Sequence, residues 1–261
     1  MRYIIFIFTF MLVSSAVMRS EAKIVTRTVE YKQGDTVLEG FVAYDDGKKG
    51  KRPGILVVHE WWGLNQFIKD RAVALAKLGY VAFAPDIYGK GVRPATMEEA
   101  GKTAKIYKSD RTLLRARVKA GLDELRKLKL VDVKKLAATG YCFGGTTVLE
   151  LARSGADIAG VVSFHGGLDS PNPQDGKNIK ARVLVLHGAV DPFNAPADVA
   201  AFQDEMNKGN VDWHMVYYGN AVHGFTNSNN GTDNAKGLAY NASADKRSWA
   251  AMKLFFKEIF K

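Results

Sequence analysis

The sequence predicts a three-layer α/β fold, in which helices cover both faces of a mostly parallel sheet. Apolar runs of strand length alternate with segments of helical periodicity along most of the chain. Runs that are apolar at every position are typical of parallel strands buried on both faces. An earlier pair of strands with alternating side chains predicts an N-terminal antiparallel hairpin. No linker or internal repeat interrupts this order, so residues 23–261 are expected to form a single domain.

The individual elements follow from these patterns in chain order. The hairpin pairs Val25–Tyr31 with Thr36–Tyr44 around a turn at 32–35. Further strands are predicted at Gly54–His59, Val81–Pro85, Lys135–Tyr141, Ala159–Phe164, Arg182–His187 and Trp213–Tyr218. Helices are predicted at Gln66–Lys77, Met97–Leu128, Thr146–Arg153, Ala197–Lys208 and Ala244–Phe260. The longest predicted loop, Thr226–Ala242, follows a strand end, which is where active-site loops of such sheets gather.

Length and composition exclude several classes of protein. At 261 residues, with 47% hydrophobic and 25% charged residues, the chain can bury a sizeable core and is not disordered, collagen-like or a coiled coil. A single cysteine excludes an intramolecular disulfide and a Cys-x-x-Cys redox or zinc site. We expect neither a metal nor a cofactor. The net charge of +10 does not indicate nucleic acid binding, because the basic segment 97–129 also carries acidic residues and lacks an aromatic stacking platform.

The first 22 residues have the form of a secretory signal peptide. Arg2 precedes the apolar run Tyr3–Val13, and Ser20-Glu21-Ala22 places small residues at the −3 and −1 positions of a cleavage site. An uncleaved membrane anchor and a buried helix are the alternatives, since the run is only slightly short of a bilayer span. We expect an exported protein, periplasmic or secreted, with no stable membrane insertion after removal of the signal.

Cys142 lies where the nucleophile of a hydrolase would lie. An apolar strand leads into a turn with Gly140 and Gly144 on either side of Cys142, and a helix follows. This is the Gly-x-Ser-x-Gly form with cysteine in place of serine. Glycines are needed there because a Cβ would collide with the neighbouring strand or helix. The helix N-terminus favours the thiolate over the thiol. A buried structural cysteine in a glycine-rich turn is the alternative interpretation.

A base and an orienting carboxylate follow the cysteine in the chain, as acyl transfer to a thiol requires. Asp191 comes just after the strand Arg182–His187, and His223 lies in the loop after the strand Trp213–Tyr218. The order of nucleophile, aspartate and histidine is that of α/β-hydrolases. The other histidines close apolar strands or lie within one, and they are expected to be structural: His59, His165, His187 and His214.

The loop after the strand Gly54–His59 is expected to complete the site. In this architecture one backbone N–H from this loop and the N–H after the nucleophile hold the oxyanion, which predicts Trp61 and Phe143 as donors. Glu60 is expected close to the nucleophile. An ionised carboxylate there would raise the pKa of the thiol, so we hypothesise that Glu60 restrains Cys142. A solvated loop carboxylate is the alternative.

Several short motifs occur together: Gly140-Tyr-Cys142-Phe-Gly-Gly, Val58-His-Glu60-Trp-Trp-Gly-Leu-Asn, Ala84-Pro-Asp86-Ile-Tyr-Gly, His187-Gly-Ala-Val-Asp191, His223-Gly-Phe and the segment Gly237–Trp249. As a set they resemble the dienelactone hydrolase family of α/β-hydrolases over nearly all of the chain after residue 22. The resemblance implies a triad of Cys142, Asp191 and His223, with Glu60 as partner of the resting thiol. It also implies hydrolysis of a small-molecule ester or lactone through an acyl-thioester.

Two departures from that family bear on the substrate. The members that cleave dienelactone bind its carboxylate through two arginines, and here Thr226-Asn227 and Lys102–Tyr107 occupy the corresponding regions. The resemblance therefore predicts an ester or lactone other than dienelactone. The alternative to a hydrolase is a non-catalytic or redox-sensitive binding protein on the same scaffold.

Overall fold

A computed structural model describes residues 23–261, and the predicted signal peptide at 1–22 lies outside the described residues. The strands are β1 (Ile24–Gln33), β2 (Thr36–Asp45), β3 (Arg52–Val58), β4 (Val81–Ala84), β5 (Val131–Tyr141), β6 (Gly160–Phe164), β7 (Arg182–Gly188) and β8 (Trp213–Tyr218). The helices are α1 (Gln66–Lys77), α2 (Met97–Ser109), α3 (Arg111–Lys127), α4 (Phe143–Arg153), α5 (Pro196–Lys208) and α6 (Ala242–Ile259). None of the helices within 23–261 is both long and apolar enough to cross a bilayer.

The eight strands form one sheet in the order β1-β2-β4-β3-β5-β6-β7-β8. β1 and β2 pair antiparallel with Gln33 opposite Thr36, and β2 also runs antiparallel to β4. Every other neighbouring pair is parallel. The predicted fold class, including the N-terminal hairpin, is confirmed. Because β3 and β5 to β8 are parallel, their carboxyl ends meet at one edge, where open α/β sheets bind ligands.

Two hydrophobic layers enclose the sheet, as the uniformly apolar strands predict. In β7, Val183 and Val185 contribute to the layer that contains α2 to α5, while Leu184 and Leu186 contribute to the layer that contains α1 and α6. Successive side chains of a strand point to opposite faces, so a strand covered on both sides must be apolar throughout. The parallel strands thereby form a rigid support for the loops at their carboxyl ends.

The predicted helix Met97–Leu128 is wrong in one respect, because the chain breaks it into α2 and α3 at Asp110. The backbone of Asp110 is not helical, with φ −119° and ψ 87°, and its carboxylate accepts a hydrogen bond of 2.9 Å from the N–H of Leu113. An aspartate in this conformation caps a new helix. Met97, Ala104 and Lys108 of α2 line the cavity described below.

Helix α4 begins three residues earlier than predicted, directly after Cys142. Gly144 and Gly145 have low helix propensity, which favoured a later start. Both are required by close packing. A Cβ at Gly145 would lie 2.7 Å from the Cα of Gly166. Tertiary contact therefore overrides local propensity and places the first turn of α4 beside the cysteine.

A group of buried charges, here called the structural ion cluster, joins α4 to α5. Arg153 is fully buried, and its guanidinium binds the carboxylate of Glu205 at 2.9 and 2.7 Å and that of Glu150 at 2.9 Å. Two backbone carbonyls, of Leu168 and Asp169, accept further hydrogen bonds from it at 3.2 and 3.3 Å. Each N–H group of the Arg153 guanidinium thus has a hydrogen-bond acceptor.

Candidate active site

Cys142 lies in a sharp turn between β5 and α4. Its φ is +55°, a left-handed conformation that is uncommon for a residue with a side chain. The backbone N–H of Cys142 lies 3.0 Å from the carbonyl oxygen of Phe164 and 3.2 Å from Nδ1 of His165. A Cβ at Gly140 would lie 2.0 Å from the carbonyl oxygen of Gly144, and one at Gly144 would lie 2.3 Å from that of Val58. The strained turn therefore depends on both glycines, as the sequence motif predicts.

Asp191 and His223 are joined by a hydrogen bond. Nδ1 of His223 lies 2.9 Å from Oδ2 of Asp191. The aspartate also accepts from the N–H of Phe193 at 2.9 Å and from the side-chain amide of Asn194 at 3.0 Å. Burial raises the pKa of Asp191, but these hydrogen bonds and the charge of His223 outweigh burial and hold that pKa below its usual value. An ionised Asp191 only accepts, so Nδ1 of His223 carries the proton and Nε2 is left for another partner.

Cys142 lines the same cavity as His223. Burial alone lowers the pKa of His223, but the interaction with the Cys142 side chain and the hydrogen bond to Asp191 together raise it to about 10. An imidazole held between two groups that become negative favours its protonated form. The three residues predicted for catalysis thus come together at the carboxyl ends of β5, β7 and β8.

Glu60 is buried, with 3% of its surface exposed, and it lines the same cavity as Cys142 and His223. The alternative of a solvated loop carboxylate is therefore wrong. Burial raises the pKa of Glu60 to about 7, although Asn227, His223 and Arg71 act in the opposite direction. A carboxyl group with this pKa changes its charge near neutral pH.

Asn227 holds Glu60, a contact that the sequence did not predict. Its side-chain Nδ2 donates to Oε2 of Glu60 at 2.7 Å, and its Oδ1 accepts from the N–H of Asn229 at 3.0 Å. The second bond determines the orientation of the amide, so the N–H₂ group faces the carboxylate. The sequence indicates this position only as one where a substrate-binding arginine of the resembled family is missing.

The two predicted oxyanion donors lie beside the cysteine. Trp61 and Phe143 both line the cavity that contains Cys142. Within residues 23–261, neither backbone N–H donates a hydrogen bond to a backbone or side-chain acceptor. Phe143 is the first residue of α4, where an N–H has no partner within the helix. The backbone of Trp61 is held through its carbonyl oxygen, which accepts a hydrogen bond of 3.1 Å from the Tyr88 hydroxyl.

Two of the histidines predicted to be structural support this arrangement. His165 contacts the N–H of Cys142 through Nδ1 and the hydroxyl of Thr226 through Nε2 at 2.8 Å. Burial and nearby positive groups hold the pKa of His165 well below its usual value, so the ring is neutral. His59 bridges the N–H of Ile87 and the carbonyl of Glu60, and burial lowers its pKa to about 4. Both rings position the loops that carry the site.

The cavity above Cys142 has a volume of about 230 Å³. Its walls are mainly apolar and are formed by Trp61, Met97, Ala104, Phe143, Phe193 and Leu238. Two cationic side chains also line it, Lys108 from α2 and Lys236 from the loop after β8. The predicted loop Thr226–Ala242 thus contributes to the site. Within 23–261, no group of three or more His, Cys, Asp and Glu side chains could hold a metal ion.

The chain is similar to a known protein family and to several individual proteins. A family model described as the dienelactone hydrolase family matches residues 38–260. A solved structure of a dienelactone hydrolase-like promiscuous phosphotriesterase from metagenomic libraries is 43% identical, covers 91% of this chain and 99% of that chain, and superposes with a TM-score of 0.87. Among curated relatives, protein usf of Aquifex pyrophilus is 28% identical over 88% of this chain and 97% of its own length. A putative carboxymethylenebutenolidase of Aquifex aeolicus is 26% identical over 89% and 98%.

Proposed function

The chain belongs to the dienelactone hydrolase family of α/β-hydrolases, and we propose that it cleaves a carboxylic ester or lactone through an acyl-thioester on Cys142. Family membership makes it a hydrolase of ester or lactone bonds. The observation that carries the assignment of the nucleophile is the 2.9 Å hydrogen bond from His223 to Asp191, which leaves the second imidazole nitrogen for Cys142. Asp191 is the orienting carboxylate in this proposal, and His223 is the acid and base.

The reaction begins with a thiolate stabilised by the imidazolium of His223. The sulfur attacks the carbonyl carbon, a C–S bond forms, and the backbone N–H groups of Trp61 and Phe143 bind the oxyanion. When the tetrahedral intermediate collapses, the C–O bond breaks and the leaving oxygen takes the proton from Nε2 of His223. His223 then removes a proton from water, the water oxygen attacks the thioester carbonyl, and the C–S bond breaks to release the acid and the thiolate.

Glu60 is the modulating group in this proposal. Its buried carboxyl group is neutral below about pH 7 and ionised above, and it shares the cavity with Cys142. A negative carboxylate beside the sulfur opposes the thiolate by charge repulsion. Asn227 holds one oxygen of the carboxyl group, and this keeps the charge at a defined place. Glu60 therefore lowers the reactivity of Cys142 as it ionises.

The test uses purified protein with a panel of aryl esters and lactones, beside the variants Cys142→Ala and Cys142→Ser. We expect Cys142→Ala to lose at least about 10³-fold in kcat/KM, because the nucleophile is removed. Intact-mass analysis after mixing with a slow substrate should show one acyl group, located on Cys142. Full turnover by Cys142→Ala would overturn the proposal.

A non-catalytic or redox-sensitive binding protein would give a different result. It would show no saturable hydrolysis of any ester and no acyl adduct. Mild oxidation of Cys142 would then alter partner binding in the absence of any detectable turnover.

A second class of substrate is worth including in the same panel. The solved structure that is 43% identical is described as a promiscuous phosphotriesterase, and the match covers 99% of that chain. We therefore propose that an aryl dialkyl phosphate is a secondary substrate of Cys142. The sulfur attacks phosphorus, a P–S bond forms as the P–O bond to the aryl group breaks, and the aryl oxygen takes the proton from His223. Water activated by His223 then attacks phosphorus, and the P–S bond breaks to release the dialkyl phosphate and the thiolate. Phosphotriester cleavage that is unaffected by Cys142→Ala would contradict this.

We further propose that the protein is exported to the periplasm or secreted, which residues 1–22 of the sequence support. Expression of the full chain followed by cell fractionation and mass spectrometry should find a mature form beginning at Lys23. A cytosolic product that retains the first 22 residues would overturn this proposal.

A further inference from the structure

A polar cleft lies beside the catalytic cavity and, apart from Asn227, its residues have no part in the mechanism proposed above. Its volume is about 580 Å³, within the range of roughly 300–1,000 Å³ that is usual for ligand sites. Its lining includes Trp62, Asn65, Lys69, Arg93, Asn229 and Asn230. The catalytic cavity, at about 230 Å³, is too small to hold a large substrate alone.

The cleft and the catalytic cavity share their boundary. Asn230 lines both spaces. Asn227 lines the cleft while its amide binds Glu60, which lines the cavity. Of the two neighbouring tryptophans, Trp61 lines the cavity and Trp62 lines the cleft. Their rings pack edge to face, with 5.4 Å between the ring centroids. The cleft therefore lies next to the space that holds a substrate at Cys142.

The walls of the cleft are held in place by hydrogen bonds. Nε of Arg93 donates to the carbonyl of Leu64 at 2.9 Å and so ties two of the loops together. Nδ2 of Asn230 donates to the carbonyl of Gly224 at 2.8 Å, and Oδ1 of Asn65 caps α1. The side chains of Arg93, Asn230 and Asn65 therefore have defined positions in the cleft.

Several polar groups of the cleft are free to bind a ligand. Among residues 23–261, the amide of Asn229 makes no side-chain hydrogen bond, and neither Oδ1 of Asn230 nor Nδ2 of Asn65 has a partner. These groups include both donors and acceptors. The charge of Arg93 is already matched by Asp86 and Glu39 at 3.9 and 3.8 Å. A mixture of donors and acceptors suits hydroxyl groups, each of which donates and accepts, better than it suits an anion.

We propose that the cleft binds the hydroxylated alcohol part of the substrate, so that the preferred substrate is the ester of an apolar acid with a sugar or similar polyol. The apolar walls of the catalytic cavity take the acyl group, while Trp62 offers an aromatic face and Asn229 and Asn230 offer amide groups to the polyol. This inference rests on the proposed function, since Cys142 must attack the ester carbon between the two parts.

The experiment compares two esters of the same butyryl group, one with p-nitrophenol and one with the 6-hydroxyl of methyl glucoside. For each ester, kcat/KM is divided by the rate constant of its hydrolysis by hydroxide. Wild type is expected to have the higher value of this quotient on the sugar ester. Asn229→Ala and Trp62→Ala are expected to lower the ratio of kcat/KM for the sugar ester to that for the aryl ester by at least tenfold, mainly through KM. Gln203→Ala, an amide variant on α5 away from both spaces, serves as the matched control and is expected to leave the ratio within twofold.

The outcomes separate this inference from the proposed function. If hydrolysis of the aryl ester depends on Cys142 but the ratio does not change in Asn229→Ala and Trp62→Ala, the cleft proposal fails and the proposed function stands. If Cys142→Ala retains hydrolysis of the aryl ester, the proposed function itself fails. A preference for an ester with a carboxylate on its alcohol part, lost in Lys69→Met, would replace the polyol by an anion and overturn the inference. Thermal unfolding of each variant shows whether Trp62→Ala remains folded, and Asn229→Ala gives the independent test if it does not.

Discussion

Two buried groups of charged residues in this molecule are arranged in opposite ways. In the structural ion cluster, the guanidinium of Arg153 meets two carboxylates and two carbonyls, so each of its N–H groups has an acceptor. In the candidate active site, within residues 23–261, the carboxyl group of Glu60 has one side-chain partner, Asn227, and the imidazole of His223 has one, Asp191.

The difference shows how the same kinds of residue serve stability or chemistry. A buried charge with all its partners present is stable in its ionised form. In the candidate site, burial displaces the pKa of Glu60 and negative neighbours displace that of His223, so these groups exchange protons where a catalytic site requires it. The pKa of Glu60 at about 7 and that of His223 at about 10 are both far from the usual values for these residues.

The largest expected effect is on catalysis, in Asp191→Asn. Asparagine is uncharged and can donate to Nδ1 of His223 through its N–H₂ group, so the ring is no longer held in the productive tautomer. We expect kcat/KM to fall by roughly 10³- to 10⁴-fold, while the midpoint of thermal unfolding changes little. Steady-state kinetics on an aryl ester gives the first value and calorimetry the second. A loss below tenfold would mean that Asp191 is not the orienting group.

The reverse pattern is expected for Arg153→Met. The substitution leaves Glu205 buried without its cation, and breaking a buried pair in this way costs about 3–5 kcal/mol of the free energy of unfolding. Urea titration measures that cost. The kcat of the folded fraction should stay within twofold of wild type. Adding Glu205→Leu should recover part of the lost stability, and a double variant no more stable than Arg153→Met would contradict this account.

A third expectation concerns pH and the Glu60→Gln variant. The pKa of Glu60 is raised in the folded protein, so folding takes up a proton, and the stability that Glu60 contributes falls as pH rises from about 4.5 to about 7. Glu60→Gln removes this decline, which amounts to about 3 kcal/mol above pH 7. Denaturant unfolding at a series of pH values should show the two proteins diverging across that interval.

The reactivity of the thiol should diverge over the same range. Alkylation of Cys142 by iodoacetamide should become faster in Glu60→Gln than in wild type as pH rises above 7, because the opposing carboxylate is absent. The isosteric variant Asn227→Asp is compared with Glu60→Gln in the same assay, because it replaces the hydrogen-bond donor to Glu60 by a second acceptor. Equal alkylation rates at all pH values would remove the proposed restraint by Glu60.

The smallest effect is a change in the pKa of His223 in Cys142→Ala. The sulfur is one of the two main groups that raise this pKa to about 10, and Asp191 is the other. Without the sulfur, the effect of burial, which lowers the pKa of His223, is opposed only by Asp191. The pKa should then fall by one unit or more, and one unit corresponds to about 1.4 kcal/mol. NMR titration of the His223 ring measures the change. An unaltered titration would show that Cys142 and His223 do not interact.

Much of the fold could be predicted because its signals are local. The uniformly apolar strand β7 and the turn between Gly140 and Gly144 each carry their own pattern. The split between α2 and α3 also had a local signal, since Asp110 is a good N-cap residue, but the helical periodicity on both sides concealed it. The early start of α4 had no such signal, because the contact of Gly145 with Gly166 comes from another part of the chain.

The α/β order, the turn that raises Cys142 above the sheet, and the succession of Cys142, Asp191 and His223 can all be predicted from the amino-acid sequence. Each strand, helix or turn that carries them has its own short pattern, whose spacing reflects the geometry of that element. The folded molecule was needed to show that Asn227 binds Glu60 across 167 positions of the chain, that Arg153 meets Glu205, and that a polar cleft adjoins the cavity. Partners of buried polar groups are chosen by which loops the fold brings together, and no local pattern encodes that choice.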